Sequence, residues 1–105
     1  DGLNTNRLIK VASTISKNSS DNFNVVTLYD FDTRGYVLRY LVRYVYGKQP
    51  QNEIEYNNVD SIYALAENNY NFDKDNPWEL NVFKPYNIER IEDAGENFGL
   101  FKLTK

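Results

Sequence analysis

The sequence contains no cysteine and no histidine. Without cysteine there are no disulfide bonds, thiolate nucleophiles or thiolate metal ligands, and without histidine the chain lacks imidazole ligands and the most common general base. We therefore expect no catalytic residue, no metal site and no cofactor, and we predict that the chain is not an enzyme. Lysine, tyrosine, serine, threonine and the carboxylates remain as reactive groups, but no catalytic motif contains any of them.

Long apolar runs are also missing, so no transmembrane segment is predicted. A hydrophobic fraction of 41% and a charged fraction of 26% are typical of globular proteins, and 105 residues suffice for one domain with a single core. Because the chain begins DGLNTN without an initiator methionine, we expect that it was excised or processed from a longer chain. The lack of cysteine slightly favours an extracytoplasmic or surface-exposed location, although many cytosolic domains of this size also lack cysteine.

The net charge of −3 is unevenly distributed. Up to residue 50, seven basic residues outnumber four acidic ones, whereas beyond it eleven acidic residues outnumber five basic ones. Folding can bring the halves together so that the charges cancel, or it can leave two faces of opposite sign that steer a partner. We expect cancellation, because solvated charges usually form weak pairs at the surface.

The apolar periodicity predicts an α+β domain in which an antiparallel sheet packs against two helices. The first predicted helix covers residues 6–17, and its apolar face consists of Leu8, Val11, Ala12 and Ile15. The second covers residues 57–69, and its inward side consists of Val59, Ile62, Tyr63 and Ala66. Strands are predicted at 23–31, 36–46, 78–83 and 98–104, with a further short edge strand considered at 53–56 and with 87–91 ambiguous. This helix-strand-strand-helix-strand-strand order fits a cystatin-like or a ferredoxin-like arrangement.

The stretch GYVLRYLVRYVYG, residues 35–47, alternates as a strand does and would form a hairpin with residues 23–31 through the turn DTRG. One face then carries Tyr36, Leu38, Tyr40, Val42 and Tyr44. The opposite face carries Val37, Arg39, Leu41, Arg43 and Val45. A helical interpretation also exists, because Leu38, Leu41, Val42 and Val45 have helical spacing. We prefer the strand, which places the tyrosine face in the core. The arginine face is then either solvated or paired with Glu53 and Glu55 of the neighbouring segment.

Two acidic clusters offer weaker candidates for chemistry. The segment DKDNPWE contains oxygen ligands of the kind calcium prefers, namely Asp73, Asp75, Asn76 and Glu79. The segment ERIEDAGENFG contains carboxylates that could form the pair of a small hydrolase, namely Glu89, Glu92, Asp93 and Glu96. The first lacks the glycine and spacing of an EF-hand loop, and both segments are also typical of ordinary polar turns.

The leading hypothesis is a non-enzymatic protein-interaction domain that uses its sheet face or an exposed strand edge. Arginines interleaved with apolar residues are typical of interface anchors, so the predicted binding residues are Val37, Arg39, Leu41, Arg43 and Val45. Single-stranded nucleic-acid binding is an alternative, but rings and positive charges should then share one face, and the strand interpretation places them on opposite faces. A carboxylate-based hydrolase is a third hypothesis. The sequence indicates neither the partner protein nor the oligomeric state.

Overall fold

The structure, a computed structural model, describes residues 5–19, 22–28, 36–45, 47–48, 50–51, 56, 58–73, 77–95 and 97–105. The helices are α1 (Thr5–Asn18), α2 (Tyr36–Tyr40), which continues into a π-helical segment (Leu41–Val45), and α3 (Trp78–Asn81). The strands are β1 (Phe23–Leu28), β2 (Ser61–Glu67), β3 (Asn87–Gly95) and β4 (Phe98–Thr104). The chain is thus a small α+β structure, as predicted, with its elements in an order that matches the prediction only in part.

The four strands form one mixed sheet in the order β1-β2-β4-β3. β4 pairs antiparallel with both β2 and β3, but β1 and β2 run parallel. The prediction of an entirely antiparallel sheet is therefore wrong. Parallel neighbours cannot be joined by a tight hairpin and need a longer crossover, which is usually helical. The helical residues 36–45 lie on the chain between β1 and β2, in the position of that crossover.

The predicted strand over residues 36–46 is accordingly wrong for residues 36–45, and residue 46 lies outside the described residues. Leu38 and Val42 are fully buried, and Leu41 packs against them in part, as the helical interpretation of the spacing requires. Tyr40, which the strand interpretation placed in the core, is 60% exposed. The predicted turn DTRG also lies outside the described residues.

Two further secondary-structure predictions are wrong. The predicted second helix contains instead the inner strand β2, whose residues Ile62 through Ala66 are all fully buried. A strand covered on both faces loses the polar alternation that identifies strands. The predicted strand at 78–83 begins instead with the short helix α3, where Trp78 is 50% exposed. Residues 53–55 of the considered edge strand lie outside the described residues.

Other predictions are confirmed. The helix predicted at 6–17 is α1, and the strand predicted at 98–104 is β4. Within the strand predicted at 23–31, residues 23–28 form β1, and the remainder lies outside the described residues. The four residues predicted to face inward within 57–69 are buried, although three lie in strand β2 and one precedes it; they are Val59, Ile62, Tyr63 and Ala66.

Both faces of the sheet carry a hydrophobic core. On one face, here called the helical face, α1 and α2 cover apolar residues of all four strands; the core members are Val11, Ala12, Ile15, Phe23, Val25, Leu38, Val42, Tyr63, Leu65, Ala94 and Leu100. The other, here called the aromatic face, is covered by α3 and by rings of residues 70–86 that pack around Leu80, Phe83 and Phe101. The sheet is thus the middle of three layers, and its two faces are largely occupied by the chain itself.

Candidate functional site

The two edges of the sheet differ in how far the chain covers them. All six residues of the edge strand β1 are buried. Gln51 donates its backbone N–H to the Phe23 carbonyl at 2.9 Å, and the Tyr56 hydroxyl donates to the Val25 carbonyl at 2.8 Å. The guanidinium of Arg39 also reaches this edge, where it donates to Asn24 Oδ1. The β1 edge is therefore covered by Arg39 of the crossover and by residues that follow the crossover.

The other edge strand, β3, is exposed along its first four residues, Asn87, Ile88, Glu89 and Arg90. In the described part of the chain, β4 is the only strand that pairs with it. The ladder to β4 is regular over these four residues, and irregularities follow between Arg90 and Glu92 and between Asp93 and Gly95. β-Bulges bend a strand and interrupt its pairing. Residues 87–90 are thus the regular, open part of the edge, and we call them the open edge.

The second half of β3 lies under α1. Thr14 of α1 donates its hydroxyl to Glu92 Oε2 at 2.5 Å, and Ala94 is buried in the core of the helical face. The contact with α1 fixes this half of the strand against the helix. The first half of β3 is therefore more exposed than the second because the open edge lies outside the contact with α1.

A pocket of about 290 Å³ adjoins the open edge. Its lining consists of Phe72, Asp73, Lys84, Pro85, Tyr86 and Ile88. Ile88 belongs to the open edge itself and is 45% exposed. Ile88 lies opposite Leu103 of β4, which packs in the core of the aromatic face, so the Ile88 side chain points to that same face. The pocket therefore opens on the aromatic face beside the start of β3.

Aromatic contacts hold the pocket walls in place. The Tyr86 ring stacks on Phe83 with a centroid distance of 5.9 Å, and its hydroxyl donates to the Phe72 carbonyl at 3.4 Å. The Phe72 ring packs edge-on against Phe101, 5.3 Å away. Such ring pairs contribute roughly 0.5–1.5 kcal/mol beyond the area that they bury. The two aromatic walls are thus anchored in the core, whereas the rim residues Asp73 and Lys84 are exposed.

The open edge carries charged side chains on both faces of the sheet, with Glu89 on the helical face and Arg90 on the aromatic face. Glu89 lies opposite Lys102 of β4. Arg90 donates to Asn68 Oδ1 at 3.0 and 3.2 Å across Gly99, and it lies 3.6 Å from the Asp93 carboxylate. A Cβ atom at Gly99 would approach Arg90 Nε to 2.7 Å, so the glycine leaves room for this side chain. Charges on an exposed edge discourage unspecific pairing between sheets.

The five predicted binding residues lie on the helical crossover, where alternate residues do not share one face. The half-buried Arg39 donates to the Gln51 carbonyl at 2.6 Å and to the Tyr56 hydroxyl at 2.8 Å. Leu41 packs on the core, and Arg43 is exposed. The side chains of Val37 and Val45 lie outside the description. The face assignment is thus wrong, while the binding role of the five residues stays a prediction.

The acidic clusters are only partly described, because Asp75, Asn76 and Glu96 lie outside the described residues. In the first cluster, Asp73 is exposed on the pocket rim and Glu79 is buried in α3. In the second, Glu89 lies opposite Lys102 in the strand register, Glu92 accepts a hydrogen bond from Thr14, and Asp93 lies 3.6 Å from Arg90. Among the described residues, no group of three or more acidic side chains could hold a metal ion.

Tyr63 is the described residue whose hydroxyl titration is most clearly altered. Burial raises the pKa of this hydroxyl above its ordinary value of 10.0, and the nearby Glu89 carboxylate raises the pKa further. Burial therefore favours the protonated hydroxyl of Tyr63. Its ring packs edge-on against Phe23 at 6.0 Å, and the Lys102 ammonium lies 5.8 Å from the ring centroid. These contacts describe a packed core residue.

Sequence reasoning did not select Phe72, Tyr86 or Ile88, which line the pocket, and it left residues 87–91 ambiguous. The bulges of β3 break the strict alternation that identifies a strand. One signal was present, because Ile88 alternates with the polar residues Asn87 and Glu89.

Comparison with known proteins finds no family model, no curated protein and no solved structure that matches this chain. None of the described helices combines the length and the apolar character that crossing a membrane requires.

Proposed function

We propose that the chain is a non-enzymatic protein-interaction domain that binds an extended segment of a partner protein at the open edge of β3. In this mode a peptide adds a strand to a sheet, its main chain supplies hydrogen bonds, and pockets for alternate side chains supply specificity. The observation that carries the proposal is the exposure of Asn87, Ile88, Glu89 and Arg90 on a regular edge strand beside a pocket with aromatic walls.

The rest of the sheet is covered by the chain itself, which supports the open edge of β3 as the binding site. α1 and α2 occupy the helical face, and α3 with the rings of residues 70–86 occupies the aromatic face. The β1 edge receives hydrogen bonds from Gln51 and Tyr56. An unpaired backbone edge presents N–H and C=O groups that readily accept another strand. Of the two sheet edges, β3 is thus the one that offers such groups together with exposed side chains.

The experiment is a selection of peptides from a displayed library, followed by hydrogen exchange measured by NMR on the full chain with and without a selected peptide. Strand addition should slow amide exchange within residues 87–90, because new inter-strand hydrogen bonds protect the amides. Exchange in β1 should change little. A library that yields no binder, or binders that protect β1 or α2 instead of the open edge, would contradict the proposal.

A pair of matched variants sharpens the experiment. Ile88→Lys should abolish peptide binding, because it places a charge at the centre of the proposed contact. Tyr40→Lys should leave binding intact, because this residue, which is also exposed, lies on the crossover. Both changes affect exposed side chains, for which about 0.5 kcal/mol of stability is the expected scale. Equal loss of binding in both variants would refute the assignment to the edge.

A further inference from the structure

The pocket beside Ile88 is large enough to take one side chain of a partner. Its volume of about 290 Å³ lies just below the range of roughly 300–1,000 Å³ in which small-molecule sites fall. Phe72 and Tyr86 supply aromatic walls, and the exposed rim has one charge of each sign, on Asp73 and Lys84. Aromatic rings pack well on one another in edge-on or offset geometry. The pocket therefore suits a neutral aromatic side chain better than a charged group.

The position of Ile88 relates the pocket to an added strand. In an antiparallel pair, residues directly opposite each other have Cβ atoms about 4.5–5.5 Å apart and point to the same face. A partner residue opposite Ile88 would thus point to the aromatic face, where the pocket opens. The partner residue opposite Glu89 would point to the helical face beside a carboxylate. Opposite charges at facing positions are favourable, and like charges are unfavourable.

We infer that the partner is an extended antiparallel segment that inserts one aromatic side chain into the pocket and places a basic side chain opposite Glu89. This inference rests on the proposed function, because it names the chemistry of the segment that pairs with the open edge. Glu89 and the pocket beside Ile88 lie at neighbouring positions, and an antiparallel partner passes Glu89 first, so the recognised pattern is a basic residue followed directly by an aromatic one. An aromatic or a basic residue alone is common in extended segments, whereas the two in this order restrict the sequences that the edge would recognise.

The test titrates the full chain with an acetylated and amidated peptide of sequence Thr-Thr-Lys-Phe-Thr-Thr, whose threonines favour extended structure. Companion peptides replace the phenylalanine by alanine or the lysine by glutamate. Burial of a phenylalanine ring should make the parent peptide bind about tenfold or more tightly than the alanine peptide. The lysine peptide should bind about two- to fivefold more tightly than the glutamate peptide.

Two variants of the chain test each contact separately. Ile88→Ala, which removes a pocket wall, should reduce the preference for phenylalanine over alanine. Glu89→Lys should reverse the preference between lysine and glutamate while the preference for phenylalanine remains. Because both residues are exposed, thermal melts should show that both variants stay folded.

Each outcome separates the inference from the proposed function. If all peptides bind equally and protect the amides of residues 87–90, the edge binds strands but the pocket and Glu89 do not select them, and the inference is overturned. If none of the peptides protects these amides, the proposed function falls together with the inference. If sedimentation shows that the edge pairs with a second copy of the chain, which the peptides cannot displace, the inference is overturned as well.

Discussion

Replacing Arg39 by alanine tests whether the crossover is tied to the β1 edge as the structure shows. The guanidinium donates to three acceptors, namely the Gln51 carbonyl, Asn24 Oδ1 and the Tyr56 hydroxyl. It also lies 5.8 Å from the centroid of the Tyr56 ring. A planar guanidinium with several donors can bridge such acceptors, whereas a lysine ammonium cannot reproduce the fork. Arg39 thus connects three parts of the chain that are distant in sequence.

The expected magnitude follows from these contacts. A hydrogen bond to a charged group contributes about 1.5–3 kcal/mol, and bonds in one network are not additive. Some of the acceptors keep another partner, because Asn24 Oδ1 also accepts from the Val25 N–H at 3.0 Å and the Tyr56 hydroxyl still donates to the Val25 carbonyl. We therefore expect that Arg39→Ala lowers the free energy of unfolding by about 2–4 kcal/mol. For a domain of this size the melting temperature should fall by roughly 10–20 °C.

The assay is urea denaturation with thermal melting, and Arg43→Ala is the matched control. Arg43 is an exposed arginine one turn further along the crossover, and because interactions of exposed charges contribute little, its replacement should cost about 1 kcal/mol or less. Arg39→Lys should recover only part of the loss. If Arg39→Ala and Arg43→Ala have equally small effects, the hydrogen-bond network does not stabilise the fold and the reasoning is refuted. The strand interpretation of residues 36–46 predicts that outcome when its arginine face is solvated.

Three further predictions concern stability. Leu38→Ala should lower the free energy of unfolding by about 2–5 kcal/mol, because this side chain is buried, whereas Tyr40→Ala at an exposed side chain should lower it by only about 0.5 kcal/mol. Denaturation of both variants checks the helical register. Thr14→Val should cost about 1–2 kcal/mol by removing the hydrogen bond to Glu92, and Thr14→Ser should restore most of it; equal loss in both variants would contradict this. Burial raises the pKa of Tyr63 in the folded chain above that of unfolded tyrosine, which is about 10. The stability that the protonated hydroxyl contributes is therefore fully present below about pH 10 and is lost as the pH rises toward the folded pKa. Denaturation between pH 8 and 11 should therefore show a smaller alkaline loss for Tyr63→Phe, and identical pH profiles would refute the assignment.

The parts of the fold that sequence reasoning predicted are those whose burial is one-sided. α1 has a single apolar stripe, so its period is readable from the sequence. β2 is buried on both faces, and the inward positions chosen within 57–69 coincide with helical spacing, so the local pattern favours the wrong element. The stretch 36–45 fits both periods. Its conformation is decided by the parallel pairing of β1 with β2, which is a long-range contact that no local pattern contains.

The candidate site could not be predicted for a related reason. Whether a strand is an edge depends on the order of strands in the sheet, and the order β1-β2-β4-β3 follows from which pairs form. The residues of the pocket come from two separated segments, 72–73 and 84–88. Their proximity therefore depends on the sheet topology and on the packing of the aromatic face. The sequence did supply the general hypothesis of an exposed strand edge, which the structure allows us to propose for β3.

The short length of the open edge bears on how selective binding there can be. Four regular residues offer only a few backbone hydrogen bonds, because the groups of alternate residues point toward β4, and the bulges after Arg90 interrupt further pairing. The net contribution of each such bond is about 1 kcal/mol, and association itself is costly in entropy. Backbone pairing alone would thus give weak binding to almost any extended chain. A side-chain pocket at the same edge adds apolar burial that depends on the partner's sequence, so the proposed selectivity requires the pocket, and a variant that fills or removes it should make binding both weaker and less specific.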